Sequence, residues 1–384
     1  MLDLVLYKRQ RVLNFSVSLR VPVVSDSCFW KLSLLQPACL TKIIHSRASA
    51  KAISSPSIHS TNKPPRVSRA NMTSVPEKDP TSLNHTFHYK NSTHSFTVKW
   101  GTLGDPKSPP LVFLHGTPWS SRLWKPFALS LSRQFRVYLF DRPGFGDSPD
   151  EFKLAGTPTS PSKKVEFDSD LARQSEVYAA LFKDWQKDWG DQKAHVIAHD
   201  NAGLISLRGY LLHDCQYASL CLIDVVAIGP FGQPLFKALA EDPRHFEQLP
   251  DMAVEGILES YIRNAAFYEL SRDDMQALKS PWLRKGGKER FIRELCQANF
   301  RSTEPVEARY GEVGPSLPVK VIWGAEDNWI PVEDAYRLAA ALKAQEVVVV
   351  KKAGHLIMLD QGAQLGVELG RWLSAVSIQS CSSI

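Results

Sequence analysis

His195-Val196-Ile197-Ala198-His199-Asp200-Asn201-Ala202-Gly203 decides the fold. An apolar run ends on an ionisable residue, Asp200. Ala198 and Ala202 sit two positions away on either side, and a helix-like stretch, 204–212, follows at once. This is the pattern of a nucleophile elbow, the sharp strand-to-helix turn that lifts one reactive side chain above a parallel sheet. The turn is strained, so its neighbours must be small enough for strand and helix to come close. Serine is the usual occupant. An aspartate is already an anion at neutral pH, needs no base to attack, and suits displacement at a saturated carbon.

Two partners follow in chain order. The strand candidate Pro318–Trp323 runs into Gly324-Ala325-Glu326-Asp327-Asn328-Trp329-Ile330-Pro331, and the strand candidate Glu346–Val350 runs into Lys351-Lys352-Ala353-Gly354-His355. Alone, Asp327 reads as a turn residue and Gly354-His355 as chance. In this order, each at a strand end, Asp200, Asp327 and His355 form a catalytic-triad pattern in which the acid orients the imidazole and stabilises its protonated form. Asp224, at the end of the strand candidate Leu220–Ile223, is the alternative acid. The Gly324…Asp327…Pro331 context favours Asp327. His199, next to the nucleophile, is expected to point away into packing.

Leu111–Leu114 is a buried-strand pattern followed by His115-Gly116-Thr117-Pro118-Trp119. Gly116 allows a tight turn, so the amide N–H groups of Thr117 and Asn201 are expected to form an oxyanion hole. Farther on, Val137–Phe140 runs into Asp141-Arg142-Pro143-Gly144-Phe145-Gly146-Asp147-Ser148. Asp141 and Arg142 read as a loop-stitching pair without a chemical role.

The stretches at 115–119, 141–148, 198–203, 324–331 and 353–355 resemble the α/β-hydrolase superfamily over roughly residues 85–375. The elbow aspartate resembles the branch of epoxide hydrolases and haloalkane dehalogenases, whose elbow usually continues with Trp-Gly; here Asn201-Ala202 follow instead. The resemblance implies an α/β fold with a mostly parallel, eight-stranded sheet and an inserted helical cap. It implies an alkyl ester on Asp200, then attack on that ester by water activated by His355. An epoxide substrate implies cap hydroxyl donors, for which Tyr261, Tyr268 and Tyr310 are the candidates. A halide leaving group implies two N–H donors. The indole after the nucleophile is missing, which leaves the Asn201 amide with Trp119, Trp124 or Trp282. A third reading makes Asp200 a base in ester, lactone or C–C cleavage. From another class, the fold is reused by non-enzymatic small-molecule binders.

Alternating strand and helix patterns divide the chain into a hydrolase core, 81–226 and 313–376, a helical cap, 227–312, and a tail, 377–384. Phe231, Phe246, Phe267, Trp282, Phe291 and Phe300 are candidates to line an apolar cavity under the cap. Residues 1–80 form a basic Ser/Pro-rich extension expected to be disordered. Eleven Lys or Arg against two acids give residues 1–71 a net charge of +9, which leaves −3 for the rest of a chain that totals +6. The basic balance is therefore local and gives no reason to expect nucleic acid as a partner. The extension resembles a mitochondrial transit peptide, while a start at Met72 fits a cytoplasmic protein.

No apolar run reaches the roughly 18 residues of a membrane span. Cys215, Cys221 and Cys296 lack metal spacing and read as inert thiols. His85, His88 and His94 read as an edge-strand surface. Neither a dinucleotide fingerprint nor a P-loop appears, so neither cofactor nor metal is expected. The expected partner is a small apolar organic substrate, and the oligomeric state is open.

Overall fold

The computed structural model describes residues 79–156, 170–231, 234–296 and 300–382, all within the compact unit Thr73–Ile384. The expectations for residues 1–78, and for a start at Met72, fall outside the described residues.

Nine strands form one sheet: β1 (His85–Lys90), β2 (His94–Leu103), β3 (Pro110–Leu114), β4 (Arg136–Asp141), β5 (Phe152–Lys153), β6 (Ala194–Asp200), β7 (Tyr217–Val225), β8 (Val319–Gly324) and β9 (Glu346–Val350). Eight run in the order β1-β2-β4-β3-β6-β7-β8-β9, and the short β5 pairs with β2. From β4 to β9 all neighbours are parallel, while β1, β2 and β4 pair antiparallel. This is the mostly parallel eight-stranded sheet of the α/β-hydrolase fold, with one extra ribbon.

The apolar strands explain the layering. Parallel strands buried on both faces read as continuous hydrophobic runs, and their side chains still alternate between faces. Leu220 and Leu222 join one core with Val196, Val112 and Val321. Cys221 and Ile223 join the opposite core with Ile197, Phe113 and Ile322. Helices Leu171–Gln186, Ala202–His213 and Glu333–Leu342 belong to the first core, and Lys125–Leu131 and Gly362–Ser382 to the second. Asp170 starts Leu171–Gln186 by accepting the Ala172 N–H, which satisfies one of the free donors of the first turn.

Between β7 and β8 the described chain is helical: Pro234–Glu241, Pro243–Glu247, Asp251–Ala265, Arg272–Lys279, Gly287–Leu295 and short turns to Ser316. Within this segment the helix Asp251–Ala265 ends at Ala265. The Asp360 carboxylate takes the N–H groups of Phe267 and Tyr268, at 2.8 and 2.9 Å, and draws them out of the helix. A contact 93 residues away in sequence ends that helix.

Candidate functional site

Asp200 ends β6 and has φ 55, in the left-handed region that costs a non-glycine residue energy. The strain turns its carboxylate out of the strand and over the sheet edge. Two glycines make room. A Cβ on Gly116 would lie 2.2 Å from Asp200 Cβ, and one on Gly203 would lie 2.4 Å from Val225 Cβ. Gly116 is therefore required by close approach to the aspartate itself.

The two carboxylate oxygens have different surroundings. Oδ1 accepts the Thr117 backbone N–H at 2.9 Å, and the Asn201 backbone N–H also bonds to this carboxylate. Oδ2 lies 3.3 Å from His355 Nε2. On the far side of the ring, His355 Nδ1 donates to Asp327 Oδ2 at 2.9 Å. Asp327 Oδ1 in turn accepts the Trp329 and Ile330 N–H groups at 2.7 and 3.0 Å, which fixes the acid on its loop. The structure thus brings Asp200, Asp327, His355, Thr117 and Asn201 together. His199 lies beneath them, bonded through Nε2 to the His355 carbonyl at 2.9 Å. It holds the histidine loop against the elbow.

Electrostatics pairs the two central groups. Burial of the Asp200 carboxyl opposes ionisation, but the neighbouring His355, His199 and Asn201 N–H outweigh it and hold the carboxyl below its ordinary value. Burial likewise opposes protonation of His355, yet the Asp327 and Asp200 carboxylates outweigh it and push the imidazole up to about 10. In the resting state Asp200 is an anion facing a protonated His355.

Asp224 lies close enough for Asp327 and His355 to act on it, but its Oδ1 accepts the Gly324 N–H at 2.6 Å. Burial, then the Asp327 charge, pushes this carboxyl well above its usual range. The histidine contact belongs to Asp327. Asp224→Asn, which keeps an acceptor for Gly324, is expected to change kcat less than about fivefold, whereas Asp327→Asn costs about 10⁴ through the wrong imidazole tautomer. Steady-state rates of the two variants on one substrate check this; equal losses would mean that Asp224 shares the role.

Several expectations need correction. Arg142 does reach the site. Its guanidinium is fully enclosed, donates from Nη2 to Thr117 Oγ1 at 2.9 Å, and lies 4.2 Å from the Phe145 ring. Asn201 Nδ2 donates to the same Thr117 oxygen at 2.8 Å, so two side chains clamp the residue whose N–H meets Asp200. Asp141 does stitch loops, accepting Ser121 N and Asp147 N at 2.8 and 2.7 Å. Of the three tyrosines, only Tyr261 lines the cavity. Tyr310 donates to the Ala227 carbonyl at 2.6 Å, and Tyr268 is exposed because its backbone is tied to Asp360. Trp282 donates to the Pro118 carbonyl at 3.0 Å and is therefore occupied. Trp124 packs against Phe113, Phe127 and His199.

Among the aromatic candidates, Phe231 lines the cavity, Trp282 and Phe291 pack on each other, and Phe267 is exposed. Phe246 packs on the second core, and the Phe300 side chain lies outside the described residues. His94 is buried beside Phe96 rather than on the edge surface. Burial pushes the Cys215, Cys221 and Cys296 thiols up to about 12, which keeps them protonated and unreactive.

The residue that sequence reasoning missed is Trp329, two positions after Asp327. Its ring stacks on His355 at 4.7 Å and on Tyr261 at 4.0 Å. Its only sequence signal was its place on the acid's loop. Tyr261, packed between Trp329 and Phe236, lines a cavity of about 410 Å³ with Asp200 and Asn201, and Phe231, Pro230 and Val226 line it too. The size and apolar lining suit a small organic molecule. Among the described residues no group of three or more His, Cys, Asp or Glu converges as a metal site, and no helix is long and apolar enough to cross a membrane.

The profile of the Alpha/beta hydrolase family matches residues 111–366, two thirds of the sequence and every element of the site. The chain belongs to the alpha/beta hydrolase family. An alpha/beta hydrolase fold protein from Burkholderia ambifaria is 33% identical with a TM-score of 0.64, covering 75% of this chain and 97% of that one. The haloalkane dehalogenase DbeA from Bradyrhizobium elkani, 16% identical with a TM-score of 0.56 over 77% of this chain and 99% of that one, shares the fold alone. A 2-hydroxy-6-oxononadienedioate/2-hydroxy-6-oxononatrienedioate hydrolase from Klebsiella pneumoniae is 23% identical over 66% of this chain and 82% of its own length. The first three curated relatives are matched over 65, 92 and 95% of their lengths. As an alpha/beta hydrolase, the chain has hydrolysis as its supported reaction class.

Proposed function

We propose that this alpha/beta hydrolase forms a covalent alkyl ester on Asp200 and hydrolyses it, with small epoxides as the substrate class. The observation that carries the reading is the occupancy of the oxyanion hole. Where a serine attacks an acyl carbon, the two N–H donors receive the substrate's carbonyl oxygen. Here Asp200 Oδ1 already takes the Thr117 N–H at 2.9 Å. The donors therefore serve the carbonyl of an ester formed on the aspartate itself, which disfavours a base role for Asp200 in ester, lactone or C–C cleavage.

The steps follow from the two oxygens. Oδ2 attacks an electrophilic carbon and the carbon–oxygen bond of the epoxide opens. Tyr261 gives its phenolic proton to the departing oxygen and later recovers one from solvent. Water, losing a proton to His355 Nε2, then attacks Cγ of the ester while Thr117 and Asn201 hold the negative charge on Oδ1. The Cγ–Oδ2 bond breaks, Oδ2 takes back the proton held by His355 Nε2, the diol leaves with Oδ2, and the regenerated Asp200 carboxyl releases its proton to solvent. General-base help of this kind contributes about 10² to 10⁴ in rate.

Tyr261 favours the epoxide. Its hydroxyl is buried without a bonding partner among the described residues, and it lines the cavity. Burial, with the Asp200 and Asp327 charges, pushes its phenol well above the ordinary value, so it stays protonated as a donor. Tyr261→Phe is expected to lower kcat on an aryl epoxide by about 10²-fold, the usual loss of one charge-stabilising donor. Bromoalkane turnover should fall far less, because bromide leaves without a proton; parallel rates on both substrates check the contrast.

A second reading, halide release, is favoured by Trp329. Its indole N–H is also buried without a partner among the described residues, and the ring lines the cavity. Parallel assays of an aryl epoxide, a bromoalkane and a p-nitrophenyl ester separate the chemistries. Diol formation supports the first reading, and halide release without diol transfers it to the second. Nitrophenolate release alone defeats both.

A further inference from the structure

The ionisable groups of the cavity wall are uneven in sign. Asp200 and Asp334 line it, and no Lys, Arg or His does among the described residues. The nearby cations are engaged elsewhere. Arg142 is committed to Thr117 behind the oxyanion hole, where Glu294 and Asp200 also act on it. Arg337 bonds to Asp334 at 2.5 Å and is about half exposed. His355 is fully enclosed, paired with Asp327 on one side and Asp200 on the other. The remaining wall is apolar, aromatic or amide, with Asn201 and Asn328 as neutral polar groups.

We propose that this cavity accepts uncharged molecules and excludes carboxylates, so that its substrate is a neutral, largely apolar compound rather than an acid or a dioate. The inference deepens the reading of Asp200 as nucleophile and rests on it for the identity of the site. A bound carboxylate would lose its hydration and gain no cation among the described residues, while facing the Asp200 anion at short range. Like charges a few ångströms apart at a protein's effective dielectric constant weaken binding by a factor of ~100 or more. An amide of the same shape suffers neither cost and finds the Asn201 and Asn328 side chains as partners. Excluding acids also protects the nucleophile, since a resident carboxylate would raise the Asp200 carboxyl and lower its anionic fraction.

The test is binding, which needs no turnover and so stands apart from the covalent mechanism. Isothermal titration of the full chain at neutral pH compares 3-phenylpropanamide with 3-phenylpropanoate, two ligands matched in shape. The amide is expected to bind at least ~100-fold more tightly. In Asp200→Asn, with the charge removed and the size kept, that gap is expected to shrink to ~10-fold or less. Asp334→Asn, at the other acid of the wall, gives a second variant should the first fail to fold and is expected to narrow the gap less. Comparable binding of both ligands to the native protein overturns the inference, as does a gap unchanged in both variants. No binding of either ligand overturns it too, because the cavity is then not an acceptor for small neutral aromatics. Failure of the nucleophile reading has a different signature: no oxygen exchange into Asp200, whatever the ligands do.

Discussion

Asp200→Asn should abolish turnover, by at least about 10⁴-fold, with the fold retained. The neutral amide keeps an acceptor for the Thr117 N–H, which now meets Asp200 Oδ1 at 2.9 Å. It also tolerates the positive φ of the elbow at least as well as aspartate, since Asn is enriched in that region. What it lacks is an anionic oxygen to attack carbon. Circular dichroism melts close to those of the native protein, together with lost activity, are the expected pair of results. A complementary measurement uses native protein in heavy-oxygen water under single turnover. Label should enter the Asp200 carboxylate, because water attacks Cγ and the original Oδ2 departs with the product. Label found only in the product would place the attack of water on the substrate and make Asp200 a base.

His355→Gln is the second large effect, and it divides the reaction in two. The proposed first step uses the Asp200 anion and the Tyr261 proton but no base, so esterification is expected to proceed. The second needs a proton acceptor 3.3 Å from Oδ2, where His355 Nε2 now lies. Steady-state turnover is expected to fall about 10⁴-fold while the ester accumulates, the kinetic sign of a blocked second step. Intact-mass spectra after incubation with an epoxide should show the protein plus one substrate mass, and peptide mapping should place it on the segment containing Asp200. Native enzyme treated in the same way should return to its starting mass. A variant that is inactive and carries no adduct with any compound the native enzyme consumes would falsify the two-step scheme. Asp200 as an anion helps keep His355 protonated, and in the proposed ester that charge would be gone.

The order of the site residues was readable along the chain because each sits at a strand end. Asp200, Asp327 and His355 follow β6, β8 and β9, and a parallel sheet gathers such ends at one edge. The apolar runs and the turn residues after them carried that information locally. Thr117 and Asn201 were readable for the same reason, since Gly116 and the elbow leave one plausible direction for their N–H groups. Arg142 was read as a loop residue because its sequence context is a Gly/Pro-rich turn. Only packing shows that its guanidinium crosses to the Thr117 hydroxyl, beside the N–H that meets Asp200. The three tyrosines looked equivalent, since a hydroxyl's partner is not written beside it. Tyr310 is taken by the Ala227 carbonyl, Tyr268 is held at the surface by Asp360, and Tyr261 alone among the three faces the cavity.

What the sequence determined by itself was the run of strand candidates, the chain order of Asp200, Asp327 and His355 and the anionic character of the elbow residue. Periodicity, small residues at the turn and the identity of one side chain suffice for those, and all act over a few positions of chain. The tertiary structure decided which acid meets His355, which tyrosine and which tryptophan form the wall, and where the helix over the site ends. Those outcomes depend on contacts between segments up to 164 residues apart, such as Trp282 with the Pro118 carbonyl. A buried polar group there takes whichever partner the packed fold brings within reach, and that geometry exists only once the chain has folded.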